Sequence, residues 1–295
     1  MKNLQKRIGN FIHWLGSHKL VVIAAASCIA LVILIACLAV FRRSVPSSSP
    51  AYNGSGLILE DTFWNVNDQG FRYYDREGYT NVFGIDISEW VGDIDFEAVK
   101  SAGVDFVILR VGYRGYETGK FVLDNRLSEY LLYASRAGLK IGVYFVSQAI
   151  NTQEAIEEAE YVLDHIRGYR LEMPVFIDLE EVFDEARTDS LSVTERTNIV
   201  QAFCNDLESQ GFQAGVYANE AWLMNKLDLN RLLEQDYDIW LAKYTDAPGE
   251  ELPIHMWQFT NEGVVPGTDM WVDLNVLVIR SDESETSADT KATES

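Results

Sequence analysis

The chain is poor in residues that staple, ligate or neutralise. Of its 295 residues only three are cysteines, Cys28, Cys37 and Cys204. The first two fall in an apolar N-terminal run, so Cys204 stands alone in the rest and no disulfide can form there. A domain of this length buries enough core to fold without one. Cys204 falls in a helix expected over residues 194–210, on its apolar side, as a packed thiol. The four histidines include His165 and His255, whose spacing suggests no metal, and nothing resembles a zinc motif; no metal and no cofactor is expected. Basic residues are scarce as well. The first 43 residues hold six of the 24 Lys and Arg and none of the 45 Asp and Glu. That leaves 18 basic against 45 acidic residues, a net charge of −27, on residues 44–295. Binding nucleic acid requires Lys and Arg to neutralise phosphates, so nucleic acid is excluded as a partner. Anionic lipid headgroups would repel such a domain. No feature points to a protein partner.

What the N-terminus does have is a long hydrophobic run. Residues 20–41 are 22 consecutive uncharged residues, enough to span a bilayer as a helix. Lys2, Lys6, Arg7 and Lys19 precede it and Arg42 and Arg43 follow. The basic excess before the run predicts a single-pass anchor with residues 1–19 in the cytoplasm and the remainder outside the cell. The run is too long for a cleavable signal and lacks a small-residue cleavage site. Leu34-Ile35-Ala36-Cys37 is similar to a lipoprotein acylation site, the alternative being a lipid on Cys37. The apolar stretch through Phe41 and the two following arginines favour the uncleaved helix. A Ser/Pro/Gly linker follows over residues 42–56. Residues 57–82 carry six aromatics around Asn67-Asp68-Gln69-Gly70 and predict a small β-hairpin packed on the main domain. A single copy cannot build an array of aromatic wall-binding repeats. The acidic tail 281–295 lacks aromatics and is expected to be disordered.

Residues 83–280 alternate apolar strands with helical segments. Strands are expected over 83–88, 105–112, 141–147, 175–180, 214–218, 238–244, 255–259 and 272–278, and helices over 96–102, 125–137, 152–167, 194–210 and 221–235. Eight strands with intervening helices predict an α/β fold, a modified (β/α) barrel. The last two connections are too short for ordinary return helices, so its last strands should be irregular.

Chemistry concentrates at the strand ends. Phe176-Ile177-Asp178-Leu179-Glu180 reads as a buried strand whose alternation points Asp178 and Glu180 the same way, roughly 7 Å apart. Two close carboxylates push their pKa values apart, leaving an acid and a base near neutrality. That equipment can cleave a glycosidic bond; the other reading is a strand end bound to Arg or backbone groups. Asp86 closes the first strand and Asp273 opens the last, and in a closed barrel those strands are neighbours. Tyr144, Tyr217, Tyr244 and Trp257 lie in or at the ends of strands and are candidates for stacking on sugar rings or for barrel filling; Trp240 is a weaker candidate. Arg110 is a charge inside an apolar strand, there either to pair with a site carboxylate or to anchor the barrel.

Taken in order, Gly84-Ile85-Asp86-Ile87-Ser88, Asp93-Ile94-Asp95-Phe96, Phe106-Val107-Ile108-Leu109-Arg110, Pro174-Val175-Phe176-Ile177-Asp178-Leu179-Glu180, Trp240-Leu241-Ala242-Lys243-Tyr244, Met256-Trp257-Gln258-Phe259 and Val272-Asp273-Leu274-Asn275 resemble glycoside hydrolase family 25, the Chalaropsis or cellosyl type of lysozyme. The resemblance covers about residues 83–278. It implies a modified β/α barrel that hydrolyses the β-1,4 bond after N-acetylmuramic acid, with peptidoglycan glycan strands as substrate. It implies Glu180 as general acid, Asp178 assisting the substrate's 2-acetamido group, and Asp86 and Asp273 as the two further site acids. The chain departs from the pattern at one point. After Ser88-Glu89 it has Trp90-Val91 where relatives commonly carry a His-Gln pair, which bears on substrate preference. A chitinase-like motif would need acids where this chain has Met173 and Phe176. A catalytically silent glycan-binding barrel is the other alternative, against which the intact Asp178 and Glu180 argue.

Overall fold

The computed structural model describes residues 56–182 and 184–281. The expected cytoplasmic segment, the run 20–41 with Cys37, the linker up to residue 55 and the tail beyond residue 281 lie outside the described residues. Among the described residues no helix is long and apolar enough to cross a membrane.

The first element is a hairpin of β1 (Trp64–Val66) and β2 (Arg72–Tyr74). The Asn67 side chain makes its turn by accepting the N–H groups of Gln69 and Phe71 at 3.0 and 2.9 Å. Gly70 takes φ +85, which a side chain would oppose. The chain continues through β3 (Tyr79–Ile87), α1 (Phe96–Ser101), β4 (Phe106–Arg114), β5 (Phe121–Leu123), α2 (Leu127–Arg136), β6 (Lys140–Val146) and α3 (Thr152–Ile166). It ends with β7 (Val175–Asp178), α4 (Val193–Ser209), β8 (Ala214–Asn219), α5 (Glu220–Asn225), α6 (Leu229–Leu233), β9 (Asp238–Ala242), β10 (Met256–Gly263) and β11 (Val272–Arg280).

Eight strands close into a barrel in the order β3-β11-β10-β9-β8-β7-β6-β4, with β4 returning to β3. The strands from β3 to β10 in this ring are parallel, and β11 runs antiparallel to both its neighbours. The short β10–β11 connection, residues 264–271, explains the reversal: it suffices for a hairpin but not for a parallel return. The irregular last side therefore has a simple cause in loop length. Sequence reading did not foresee β5, which pairs antiparallel with the outer end of β4. The segment expected as one helix over 221–235 is two short ones, because the Asp228 side chain caps a new start by accepting the Arg231 N–H.

Period-two alternation fills the barrel. Val82, Phe106, Ile108, Met173, Phe176, Trp240, Met256 and Leu277 form one inner cluster. A Cβ at Gly84 would lie 2.1 Å from the Phe106 ring, so glycine lets that ring cross the floor. Outside, α3 and α4 pack on each other and α4 packs on β7 and β8. Asn151 caps α3, and Ser192 with Glu195 forms a capping box on α4. Cys204 of α4 is fully buried, its thiol 3.8 Å from the Gly215 carbonyl. Among the described residues no helix packs extensively on β10 or β11. There the hairpin takes the helix's place: Trp64 meets Trp257 at 4.9 Å and Phe71 meets Phe83 at 5.0 Å.

Candidate active site

Along several of the parallel strands the inward residues change from apolar to polar toward the C-terminal end. Val82 gives way to Asp86, Phe176 to Asp178, and Met256 to Gln258. The antiparallel β11 runs the other way, so its first inward residue, Asp273, comes to the same end of the barrel. Asp273 and Asp86 are register partners. Together with Tyr144, Glu180, Tyr217, Trp240, Tyr244 and Asn261 these residues line a cleft holding about 190 Å³ of water-sized space. It adjoins a more open groove lined by Glu180, Glu181, Tyr217, Asn219 and Tyr244. A cleft of this kind, continuing into a groove, suits a chain-like ligand with polar groups on every ring.

Asp86 is the hub. Its Oδ2 accepts from Gln258 Nε2 at 2.8 Å and from Asn275 Nδ2 at 2.7 Å. The Gln258 oxygen in turn accepts the hydroxyls of Tyr217 and Tyr244, each at 2.9 Å. The Asn275 oxygen accepts the Trp240 indole N–H at 2.8 Å. These contacts fix both amide orientations. Asp86 and Asp273, opposite each other in the register, act on each other's proton affinity. Burial raises both carboxyls, and the Asp86 charge raises Asp273 further, so the pair holds a proton well above the normal range.

Asp178 differs from Asp86 in having little to hold it. It is buried, and its Oδ1 has no hydrogen-bond partner. Desolvation raises its pKa well above the usual value, and the charges of Glu180 and Asp86 add to this. Glu180 lies two residues beyond, past the end of β7, with its side chain open to the cleft mouth. The cleft walls raise its pKa and Arg110 opposes the rise. Two acids with raised proton affinity, one held deep and one at the mouth, can divide acid and acceptor roles between them. Among the described residues no group of three or more His, Cys, Asp or Glu is arranged to hold a metal ion.

The other candidates divide. Tyr144, Tyr217 and Tyr244 line the cleft, and Tyr244 is half exposed at its edge. Trp257, read as a sugar contact, is fully buried on the outer face of β10. Its neighbour Gln258 points inward, so alternation turns Trp257 outward beneath Trp64. Its indole N–H is bonded to the Lys243 carbonyl at 2.8 Å. Arg110, read as pairing with a site carboxylate or anchoring the barrel, takes the second role. Its Nε donates to Asp124 at 2.9 Å and its terminal nitrogen to Glu89 at 3.0 Å. It therefore anchors the loop after β3 and reaches the site acids only through its field. Sequence reading missed Gln258 and Asn275 as site residues. The available signal was a side-chain amide at an inward position of an apolar strand.

A family model described as glycosyl hydrolases family 25 matches residues 85–268. That span takes in Asp86, Asp178 and Glu180 and stops short of Asp273. The chain is similar to the autolytic lysozyme of Clostridium acetobutylicum, 27% identical over 193 residues, covering 65% of this chain and 54% of that protein. It is also similar to lysozyme M1 of Streptomyces globisporus, 24% identical over 76% of each chain. The modular autolysin LytC of Streptococcus pneumoniae, solved with a synthetic peptidoglycan ligand, superposes with a TM-score of 0.60. It is 26% identical, over 72% of this chain and 51% of that one. The chain thus spans about half the length of the clostridial and streptococcal proteins.

Proposed function

The chain belongs to glycosyl hydrolases family 25, and from that premise we propose that it is a muramidase. It hydrolyses the β-1,4 bond between N-acetylmuramic acid and N-acetylglucosamine in peptidoglycan. Residues 20–41 anchor it as a single-pass protein with the barrel on the outer face of the membrane. Tethering offsets the repulsion between an acidic enzyme and an anionic wall, because it holds the enzyme at high local concentration.

The observation that carries this reading is the unpartnered Oδ1 of Asp178 inside a cleft where the neighbouring Asp86 already accepts from two side-chain amides. A buried acceptor without a donor is costly, and the amide N–H of a 2-acetamido group would satisfy it. Glu180, protonated, gives its proton to the glycosidic oxygen as the bond to the anomeric carbon breaks. The acetamido oxygen of the same sugar forms a bond to that carbon, while Asp178 takes the hydrogen bond or proton of the amide nitrogen. Water then attacks the anomeric carbon and gives a proton to the Glu180 carboxylate, the acetamido group is restored, and the configuration is retained. Asp86 and Asp273 keep the floor anionic and raise the proton affinity of Asp178. Tyr144, Tyr217 and Tyr244 supply ring faces and hydroxyls to the sugar.

The test is digestion of purified wall followed by mass spectrometry of the released fragments. Fragments ending in reducing muramic acid are expected, and reducing glucosamine ends would refute the bond assignment. Glu180→Gln should abolish release while still binding wall. An inactive wild type that binds wall would make the protein a glycan-binding barrel instead.

A further inference from the structure

The short turn after β3 carries Trp90-Val91 at the end of the barrel that holds the cleft. Trp90 is 77% exposed. So is much of the facing loop: Trp271 is 64% exposed, with Met270 and Val264 also open. Large apolar side chains gathered in this way on a surface mark a contact site more often than chance exposure does.

Pairings on either side bring the two tryptophan-bearing segments together. Below them Asp86 is the register partner of Asp273. Above them Ile94 bridges Thr268, and the Asp95 N–H donates to the Gly267 carbonyl at 2.9 Å. Trp90 falls between positions 86 and 94, and Trp271 between 268 and 273. Extending the alternation of β11 by one residue puts Trp271 on the face of Asp273.

Both turns are tied down. Glu89 is bonded to Arg110 through its carboxylate and to Asp124 through its N–H, at 3.0 and 2.9 Å. The Tyr130 hydroxyl holds the Gly92 carbonyl at 2.5 Å. The Thr268 hydroxyl lies within bonding distance of the Val265 and Met270 carbonyls. A Cβ on Gly267 would lie 2.4 Å from the Asp95 carbonyl oxygen, so glycine allows the close approach. Exposed indoles on immobilised turns lose little freedom when a ligand covers them.

We infer that Trp90 and Trp271 form an aromatic rim that stacks on a pyranose ring of the glycan strand, outside the sugars flanking the cleaved bond. The inference rests on the muramidase reading and extends its substrate site. Two features favour a sugar over a lipid surface. The rim continues directly from the Asp86–Asp273 floor. Residues 86–95 and 260–273 also carry seven acidic residues and no Lys or Arg, which repels anionic headgroups, whereas stacking on a sugar face needs no cation.

The experiment uses the full chain with Trp90→Ala and Trp271→Ala, singly and together. Two substrates are compared: soluble uncross-linked glycan strands, and a tetrasaccharide too short to reach the rim. Each substitution should raise KM on the long strands roughly three- to tenfold, while kcat on the tetrasaccharide stays unchanged. Binding of long strands is measured in parallel in a Glu180→Gln background. Weaker binding there supports the rim even if the wild type proves inactive, in which case only the muramidase reading fails. Unchanged KM and unchanged strand binding overturn the rim. So does unchanged strand affinity with reduced binding to vesicles of phosphatidylcholine, with or without phosphatidylglycerol, which would make the patch a lipid contact.

Discussion

In the wall of the barrel, Glu158 and Asp124 are as deeply buried as Asp86 and Asp178 are in the cleft, yet each wall acid faces an arginine. Arg114 meets Glu158 at 2.7 Å and Arg110 meets Asp124 at 2.9 Å. The Glu158 carboxylate also accepts from Ser147 at 2.6 Å. In the cleft Asp86 has neutral amides, Asp273 has Asp86, and one oxygen of Asp178 has nothing. The wall uses its acids to lock β4 to α3 and to the loop after β3. Burial raises the proton affinity of Glu158, to about 7, as well as that of the cleft acids, so the two regions differ in the cation and in access: the cleft acids lack an arginine and open to a ligand. The lesson is that burial alone does not single out a candidate site acid; burial without a cation, beside a cleft, does.

Substitutions on the two sides should therefore have opposite signatures. The largest effect is expected for Glu180→Gln, with kcat on wall falling about 10²–10⁴-fold and the melting temperature little changed. Wild-type activity should fall as pH rises through the raised Glu180 pKa, because the acid must be protonated. A flat alkaline limb in the kcat/KM profile would contradict that role. On the wall side, Arg114→Met leaves the buried Glu158 without its arginine. It should cost about 3–5 kcal/mol of stability by denaturant titration.

A smaller effect sharpens the contrast. The folded state raises the proton affinity of Asp273 above its unfolded value. The stability this provides is complete below the unfolded pKa and is lost as pH rises through the folded one. Asp273→Asn should stabilise the fold at neutral and alkaline pH by about 1 kcal/mol while lowering activity; a destabilised variant would mean that the cleft is built like the wall. The smallest effect concerns His255, which accepts the Ile239 N–H on Nδ1 and is pushed down to about 4 by burial. Its contribution is present above pH 6.5 and fades as pH falls toward 4. His255→Gln should flatten the stability profile in that window.

Much of the cleft was legible in the sequence because alternation is local. Asp178 and Glu180 both line the cleft, as their spacing predicts, although β7 itself ends at Asp178, and the pairing of Asp86 with Asp273 follows once the first and last strands are neighbours. Trp257 was misread because alternation says which residues share a face, not which face is inside. Arg110 left two readings open because its partners, Glu89 and Asp124, come from separate loops. Gln258 and Asn275 were passed over because a lone amide in an apolar strand has no meaning until another strand brings an acid to it.

By itself the sequence determined the succession of strands and helices, the short last connections and the spacing of acids along each strand. These depend on side-chain period and loop length, which act within a few residues. Only the tertiary structure decided which acids lack a cation, which aromatics face the cleft, and that flanking pairings draw the segments carrying Trp90 and Trp271 together. Those outcomes depend on closing the sheet, which sets residues far apart in the chain side by side and fixes, for each strand, the side that looks inward.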